Sequence, residues 1–238
     1  MSRLTIGVHP IREALRANRP LDKVLIAKGA SSPRLQEIID LCREHSVPVR
    51  FEPRDLLDRA AKGLSHQGVI AFGSAHGYVE LEAVIEGATL LIVLDGVEDP
   101  HNLGAIVRTA HAAGANALLI PERRSAPLTE TVDRASAGAL EHLPVARVTN
   151  VSQTLEKLKE RGFWIYGLDE RGPELYDRIE YSTPTAIVIG GEGSGLHQNV
   201  QKHCDLLVRI PMAGAVSSLN VSVAAGVVLF EWRRRQTA

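Results

Sequence analysis

The sequence predicts an α/β protein built as two domains. Three observations carry that prediction: strand and helix patterns alternate along the chain, the strands of the second half are continuous apolar runs, and a polar, glycine-bearing stretch at residues 74–87 interrupts the alternation. A chain of 238 residues is long for one domain and comfortable for two, each able to bury a core. The expected division is a first domain over 1–73, a linker over 74–87 and a second domain over 88–238.

In the first domain, Pro10 follows a turn-like Gly7-Val8-His9 and fits the first position of a helix whose apolar stripe is Ile11, Ala14 and Leu15. Residues 22–27 read as a buried strand. Ser32-Pro33 opens a second helix in which Leu35, Ile38, Ile39 and Cys42 recur at i, i+3, i+4 and i+7. A short strand at 48–51, a helix at 53–61 and a strand at 68–72 complete a small αβ unit. In the second domain, residues 89–94 form an apolar run of the kind covered on both faces, and 102–113 a helix. Further strands are expected at 116–120, 143–148, 163–168, 186–189 and 206–210, with helical patterns between most of them and a long apolar helix at 221–235. Strand then helix, repeated, means a mostly parallel sheet with helices on both faces.

Composition narrows the function classes. No apolar stretch approaches the length needed to cross a bilayer, and Met1-Ser2-Arg3-Leu4-Thr5 begins no secretory leader, so a soluble cytoplasmic protein is expected. Cys42 and Cys204, without a CxxC partner, read as packing residues in a reducing compartment. Net charge is −1, but residues 1–78 carry 12 Lys and Arg against 8 acids, a net of +4, while the remainder carries 15 against 20, a net of −5. That split fits either a first domain that holds nucleic acid or an ordinary solvated surface.

In sheets of this kind ligands sit beyond the carboxyl ends of the strands. Three glycine-punctuated segments occupy such positions: Asp99-Pro100-His101-Asn102-Leu103-Gly104-Ala105-Ile106-Val107-Arg108, then Gly190-Gly191-Glu192-Gly193-Ser194-Gly195-Leu196, then Ile210-Pro211-Met212-Ala213-Gly214 running into Ser217-Ser218-Leu219-Asn220-Val221. Asn102 is placed to cap its helix. Leu103, Ile106, Val107 and Ala110 share one helical face, which turns Arg108 away from the core. The glycine loop lacks the Lys-Ser/Thr of a P-loop and the GxGxxG spacing of a dinucleotide fold, so its glycines point to close backbone approach to some other ligand. Ser218 or Asn220 fits the cap of the last helix. The nine histidines show no metal-ligand spacing. Arg233-Arg234-Arg235 complements the dipole of the helix end.

Together and in this order, the three segments resemble the SpoU (TrmH) family of RNA ribose 2'-O-methyltransferases. Gly7-Val8-His9-Pro10-Ile11-Arg12 and Ser65-His66-Gln67-Gly68-Val69 are similar to the recurring segments of the family's substrate-binding domain, so the likeness covers nearly the whole chain. It implies a SPOUT fold with a deep trefoil knot, preceded by a small ribosomal-protein-like (L30e-like) domain, and a homodimer. It implies S-adenosylmethionine as methyl donor, held at Gly190, Gly191, Ile210, Met212 and Leu219, and no metal. It implies a catalytic set of Asn102, Arg108, Glu192, Ser218 and Asn220, with Glu192 orienting Arg108 or substrate, and RNA contacts from Gln67 and Arg12. The family assigns the arginine as the base for the ribose hydroxyl. An arginine keeps its proton to a pH above about 12, so a phosphate clamp or a stabiliser of the developing alkoxide is physically easier, and the residues leave these roles open. Ala137-Gly138-Ala139-Leu140-Glu141-His142-Leu143-Pro144-Val145-Ala146-Arg147-Val148 most resembles the branch that methylates a guanosine ribose in large-subunit (23S) ribosomal RNA. Arg134, where relatives carry lysine, and Pro10, where they carry a small residue, are minor departures. The same chemistry on another RNA, or a non-enzymatic RNA-binding protein of the same fold, are the competing readings; the intact catalytic set weighs against the second.

Overall fold

The computed structural model describes residues 3–16, 20–73, 77–193, 195–215 and 218–237. The chain divides into two units, one of residues 1–77 with 128–130 and one of residues 78–127 with 131–238.

The first unit runs β1 (Arg3–Ile6), α1 (Val8–Arg16), β2 (Leu21–Ala27), α2 (Pro33–Glu44), β3 (Val49–Glu52), α3 (Arg54–Ala61) and β4 (Val69–Gly73). Its sheet has the order β1-β4-β2-β3, with β4 antiparallel to both neighbours and β2 parallel to β3. Successive side chains of a strand face opposite ways. Val24 and Ile26 therefore meet Ile11, Leu15 and Ile38 of α1 and α2 on one face, while Leu25 and Ala27 meet Leu57 of α3 on the other. Ser32 caps α2 by accepting from Leu35 N, as its position before proline leads one to expect. Pro10 is the third residue of α1 and not the first, still inside the turn where no backbone donor is needed. The strand β1, too short and mixed to show a pattern, is found only by its pairing with β4.

The second unit runs α4 (Glu82–Ile85), β5 (Leu90–Asp95), α5 (Pro100–Ala113), β6 (Ala117–Pro121), α6 (Glu130–Ser136), a 3-10 turn at Ala139–Glu141, β7 (Val145–Val148), α7 (Val151–Glu160), β8 (Trp164–Leu168), β9 (Glu174–Leu175), β10 (Thr185–Gly190), α8 (Gln198–Gln201), β11 (Leu206–Arg209) and α9 (Val221–Gln236). Seven strands form one sheet in the order β7-β6-β5-β10-β8-β11-β9, and every adjacent pair is parallel. Of residues 74–87, 74–76 lie outside the described set. Val79 bridges to Ala146, and Leu81, Val84 and Ile85 are buried against this sheet. Leu91, Val93, Ala186 and Val188 face α4 and α7. On the opposite face, Trp232 of α9 donates from Nε1 to Thr185 Oγ1 at 2.9 Å.

Burial pushes the Cys42 thiol up to about 11 and the Cys204 thiol up to about 12. Neither supplies a thiolate near neutral pH, and both pack in the cores. Among the described residues no helix is long and apolar enough to cross a membrane.

Candidate active site

The strand order places β10 between β5 and β8, so the chain turns back on itself at the middle of the sheet. Ligands collect at such a reversal, beyond the carboxyl ends of the strands. A cavity of about 630 Å³ opens there. It is lined by the segments that leave β8 (Leu168 to Arg171), β10 (Ile189 to Gly193, with Gly195) and β11 (Ile210 and Met212), and by Ser218 to Val221 with Ala224 at the start of α9. Its size lies within the range of small-molecule and cofactor sites.

Glycine makes this cavity possible. A Cβ on Gly190 would fall on the backbone of Gly195 and Leu196, and one on Gly191 on the carbonyl of Gly96. The loop can close over itself only without those atoms. Asp95, at the end of β5, anchors the same loop by accepting from His197 N at 2.8 Å. His197 Nδ1 lies 3.0 Å from that carboxylate, off the hydrogen-bond direction, and its Nε2 lies 3.1 Å from Arg124 Nη1. Arginine can only donate, so Nε2 accepts and Nδ1 carries the hydrogen.

Three of the five residues expected to be catalytic form one hydrogen-bonded chain. Asn220 caps α9 by accepting from Ser222 N at 2.9 Å. The amide then presents Nδ2, which donates to Asn102 Oδ1 at 3.0 Å, and Asn102 Nδ2 donates to the Glu192 carboxylate. Asn102 is not the cap of α5. Asp99 is, accepting from His101 N at 2.7 Å, and Asn102 lies within the first turn, its side chain released for the site. Ser218 and Leu219 line the cavity; Ser217 lies outside the described residues, as does Ser194. Arg108 is exposed on α5, with no hydrogen bond or ion pair among the described residues, and Glu192 binds Asn102 instead of Arg108.

The cavity wall formed by β8 carries residues that no motif announces. Asp169 is buried and holds Arg171 through both carboxylate oxygens at 2.8 Å, while also accepting from Gln201 Nε2. The Arg171 hydrogen bond holds its carboxyl below the usual range despite burial. Only the end of a parallel strand beside the glycine loop marks this stretch as a site, and that adjacency exists in three dimensions.

The two residues expected to touch RNA sit in the first unit. Gln67, in the left-handed region at φ 53°, accepts from Val8 N at 3.2 Å and so ties the start of α1. Arg12 is paired with Glu13 at 3.3 Å and Glu37 at 3.8 Å. Among the described residues no group of three or more His, Cys, Asp or Glu could hold a metal ion.

Residues 89–230 match the model of the SpoU rRNA Methylase family, and residues 4–79 match RNA 2'-O ribose methyltransferase substrate binding. The Bacillus subtilis (strain 168) protein YacO, named for the TrmH family of tRNA/rRNA methyltransferases, is 43% identical over 97% of this chain and 95% of its own length. An AdoMet-bound rRNA methyltransferase from Sinorhizobium meliloti superposes with a TM-score of 0.63 at 25% identity, covering 98% of this chain and 87% of that one. The TrmH/SpoU tRNA modifying enzyme of A. aeolicus superposes with a TM-score of 0.58 at 31% identity but covers only 63% of this chain and 76% of its own.

Proposed function

Because this chain belongs to the SpoU rRNA Methylase family, we propose that it transfers a methyl group from S-adenosylmethionine to a ribose 2'-hydroxyl of RNA, the target being a guanosine in large-subunit (23S) ribosomal RNA. The observation that carries the reading is the chain Asn220, Asn102, Glu192 at the mouth of a glycine-walled cavity. A cofactor with an apolar-faced adenine suits a cavity whose walls include Ile189, Ile210 and Leu219 and whose backbone stands bare at Gly190 and Gly191. When bound, S-adenosylmethionine supplies an electrophilic methyl on a sulfonium. Met212, exposed at the cavity edge, would add an apolar contact to it.

The side chains have separable tasks. Asn220 and Asn102 aim the Glu192 carboxylate, an acceptor that can take a hydrogen bond from the ribose. Ser218 adds a hydroxyl on the same wall. Arg108, unpaired among the described residues, acts as a fixed positive charge that grips a phosphate and stabilises the developing alkoxide. Methyl transfer releases the hydroxyl proton; a guanidinium has donors and no acceptor, so that proton passes by way of the Glu192 carboxylate to water.

Ribosomal RNA is favoured over transfer RNA as substrate by coverage. The tRNA modifying enzyme matches only 63% of this chain, whereas the rRNA enzyme matches 98% of it. We also propose a homodimer joined near α9, where Val223 and Phe230 are 52% and 50% exposed. Calorimetry in excess chelator should show undiminished S-adenosylmethionine binding, and mapping 2'-O-methyl sites in ribosomal RNA with and without the gene should reveal one lost site. Binding that vanishes with metal, or an unchanged methylation map with transfer RNA losing a site, overturns the respective parts.

A further inference from the structure

The first unit gathers unpaired cations at one end of its sheet. Strands β1, β2 and β3 all finish at that end and β4 begins there, since β4 runs against β1 and β2 while β2 and β3 run together. Lys28 follows β2, and its backbone N donates to Glu52 O at 2.8 Å, which sets it beside the Pro53-Arg54 turn that follows β3. Arg34 is the second residue of α2, whose leading turn packs on Gly68, where a Cβ would lie 3.8 Å from Leu35 Cδ1. Lys28, Arg34 and Arg54 are exposed, and none has an ion pair among the described residues. Of the nearby acids, Asp55 holds Arg59 at 3.2 Å and Asp58 accepts from His66 at 2.8 Å, while Glu52, between Phe51 and the Pro53-Arg54 turn, has no ion pair among the described residues.

An aromatic ring stands on the same edge. Phe51 lies on β3, the outer strand, and is 52% exposed. In register it opposes Ile26, so it stands on the sheet face that α2 covers. Exposing a phenyl ring to water is unfavourable, by about 25 cal/mol for each Å² of apolar area left wet. Bases of an unpaired strand stack on such rings, while flanking cations track the phosphates.

We propose that this end of the first sheet is the surface that takes single-stranded RNA, with Lys28, Arg34 and Arg54 on the phosphates and Phe51 as the stacking platform for a base. The proposal rests on the reading of the chain as an RNA methyltransferase, and assigns the contacts to residues other than Gln67 and Arg12, whose side chains are already engaged within the unit.

The test is fluorescence anisotropy of the full chain with a labelled oligouridylate over a series of salt concentrations. Each phosphate contact on a single strand contributes about 0.7 to the slope of log K against log salt. Replacing both cations in Lys28→Ala/Arg54→Ala should therefore make the slope shallower by about 1.4. Phe51→Leu should weaken binding roughly tenfold with the slope unchanged, as loss of stacking without loss of charge requires. Arg43→Ala, which removes a cation paired to Asp40 in the last turn of α2, should change neither. An unchanged slope in the double variant, an equal effect of Arg43→Ala, or equal competition by an RNA duplex overturns the proposal. Methyl transfer to ribosomal RNA is measured on the same samples: transfer by the wild type with an unaltered slope in the double variant removes this surface and leaves the enzymatic reading intact, while no transfer at all removes that reading.

Discussion

Asn220 sets the polarity of the site, because its Oδ1 accepts from both the backbone N and the hydroxyl of Ser222 and leaves only Nδ2 for Asn102. Asn102, its Oδ1 taken by that bond, turns Nδ2 to Glu192 and donates to the carboxylate. Asn102→Asp keeps the shape and removes that donor, setting two carboxylates face to face. One of them must then bind a proton more tightly in the folded state than in the unfolded chain, where carboxylates titrate near 4. A folded-state pKa raised in this way costs stability above that range and none below it. The variant should therefore unfold with about 1–3 kcal/mol less free energy than wild type at pH 7, and the gap should narrow as pH falls toward about 4 and be closed below it. Urea titrations of both proteins at each pH check this; a gap independent of pH contradicts it. Arg108 behaves in the opposite manner. Exposed and without a partner among the described residues, it should be replaceable by alanine with a stability change within about 0.5 kcal/mol, while methyl transfer collapses. Thermal melts alongside radiolabel transfer separate the two effects, and Arg108→Lys tests whether charge alone suffices.

At the scale of elements, the glycine loop after β10 and the last helix carry the sharpest expectations. Gly190→Ala inserts a methyl into the backbone of Gly195, so the loop must move out of the cavity. Overpacking of this kind costs about 1–3 kcal/mol. The variant should melt earlier and lose S-adenosylmethionine binding together, whereas Gly193→Ala meets no atom within 4 Å and is strained only by its φ of 81°. Near the end of α9, hydrogen bonds from Arg234 and then Arg235 hold the Glu231 carboxyl at about 2, below its usual 4.5. Because the folded value is depressed, this contribution is present above pH 4.5 and is lost as pH falls through about 2. Arg234 is 61% exposed, so solvent screening limits the effect to roughly 1 kcal/mol. Glu231→Gln should be less stable by that amount at pH 7 and should match wild type at the acid end of a denaturant series.

For the whole molecule, residues 128–130 alone of the chain beyond 77 group with the first unit, and the second unit carries its own sheet and core. It holds all seven parallel strands, the cavity and the hydrogen-bonded asparagines. A protein of residues 78–238 should fold and bind S-adenosylmethionine with unchanged affinity. It should hold RNA more weakly, with a shallower salt dependence than the full chain, since the net +4 of residues 1–78 is gone. Calorimetry and anisotropy on both lengths measure the two effects separately. Equal RNA slopes would assign the basic excess to an ordinary solvated surface. Starting at 78 matters, because Leu81, Val84 and Ile85 are part of the second core, and a chain begun at 88 would remove α4 from the face it shares with α7.

Periodicity marked most strands and helices of both units, because burial on one or two faces writes itself directly into local residue order, while β1, α4 and β9 are too short to show it. The apolar runs at β5 and β10 and the stripe of α2 were legible for that reason, as were the glycine segments whose spacing a backbone-hugging loop demands. Tertiary structure alone decided the rest. The insertion of β10 between β5 and β8 brings Glu192 to an asparagine 90 residues earlier in the chain, and no local pattern encodes that pairing. Asn102 fitted a helix cap by its neighbours, yet Asp99 took the cap because its side chain reached His101 N, freeing Asn102 for the site. Asp169 and Arg171 bear no motif at all, since their place at the cavity follows from which strand ends lie side by side. Hydrogen bonds between residues distant in sequence depend on strand order, and strand order is settled by how the faces of the whole sheet are covered.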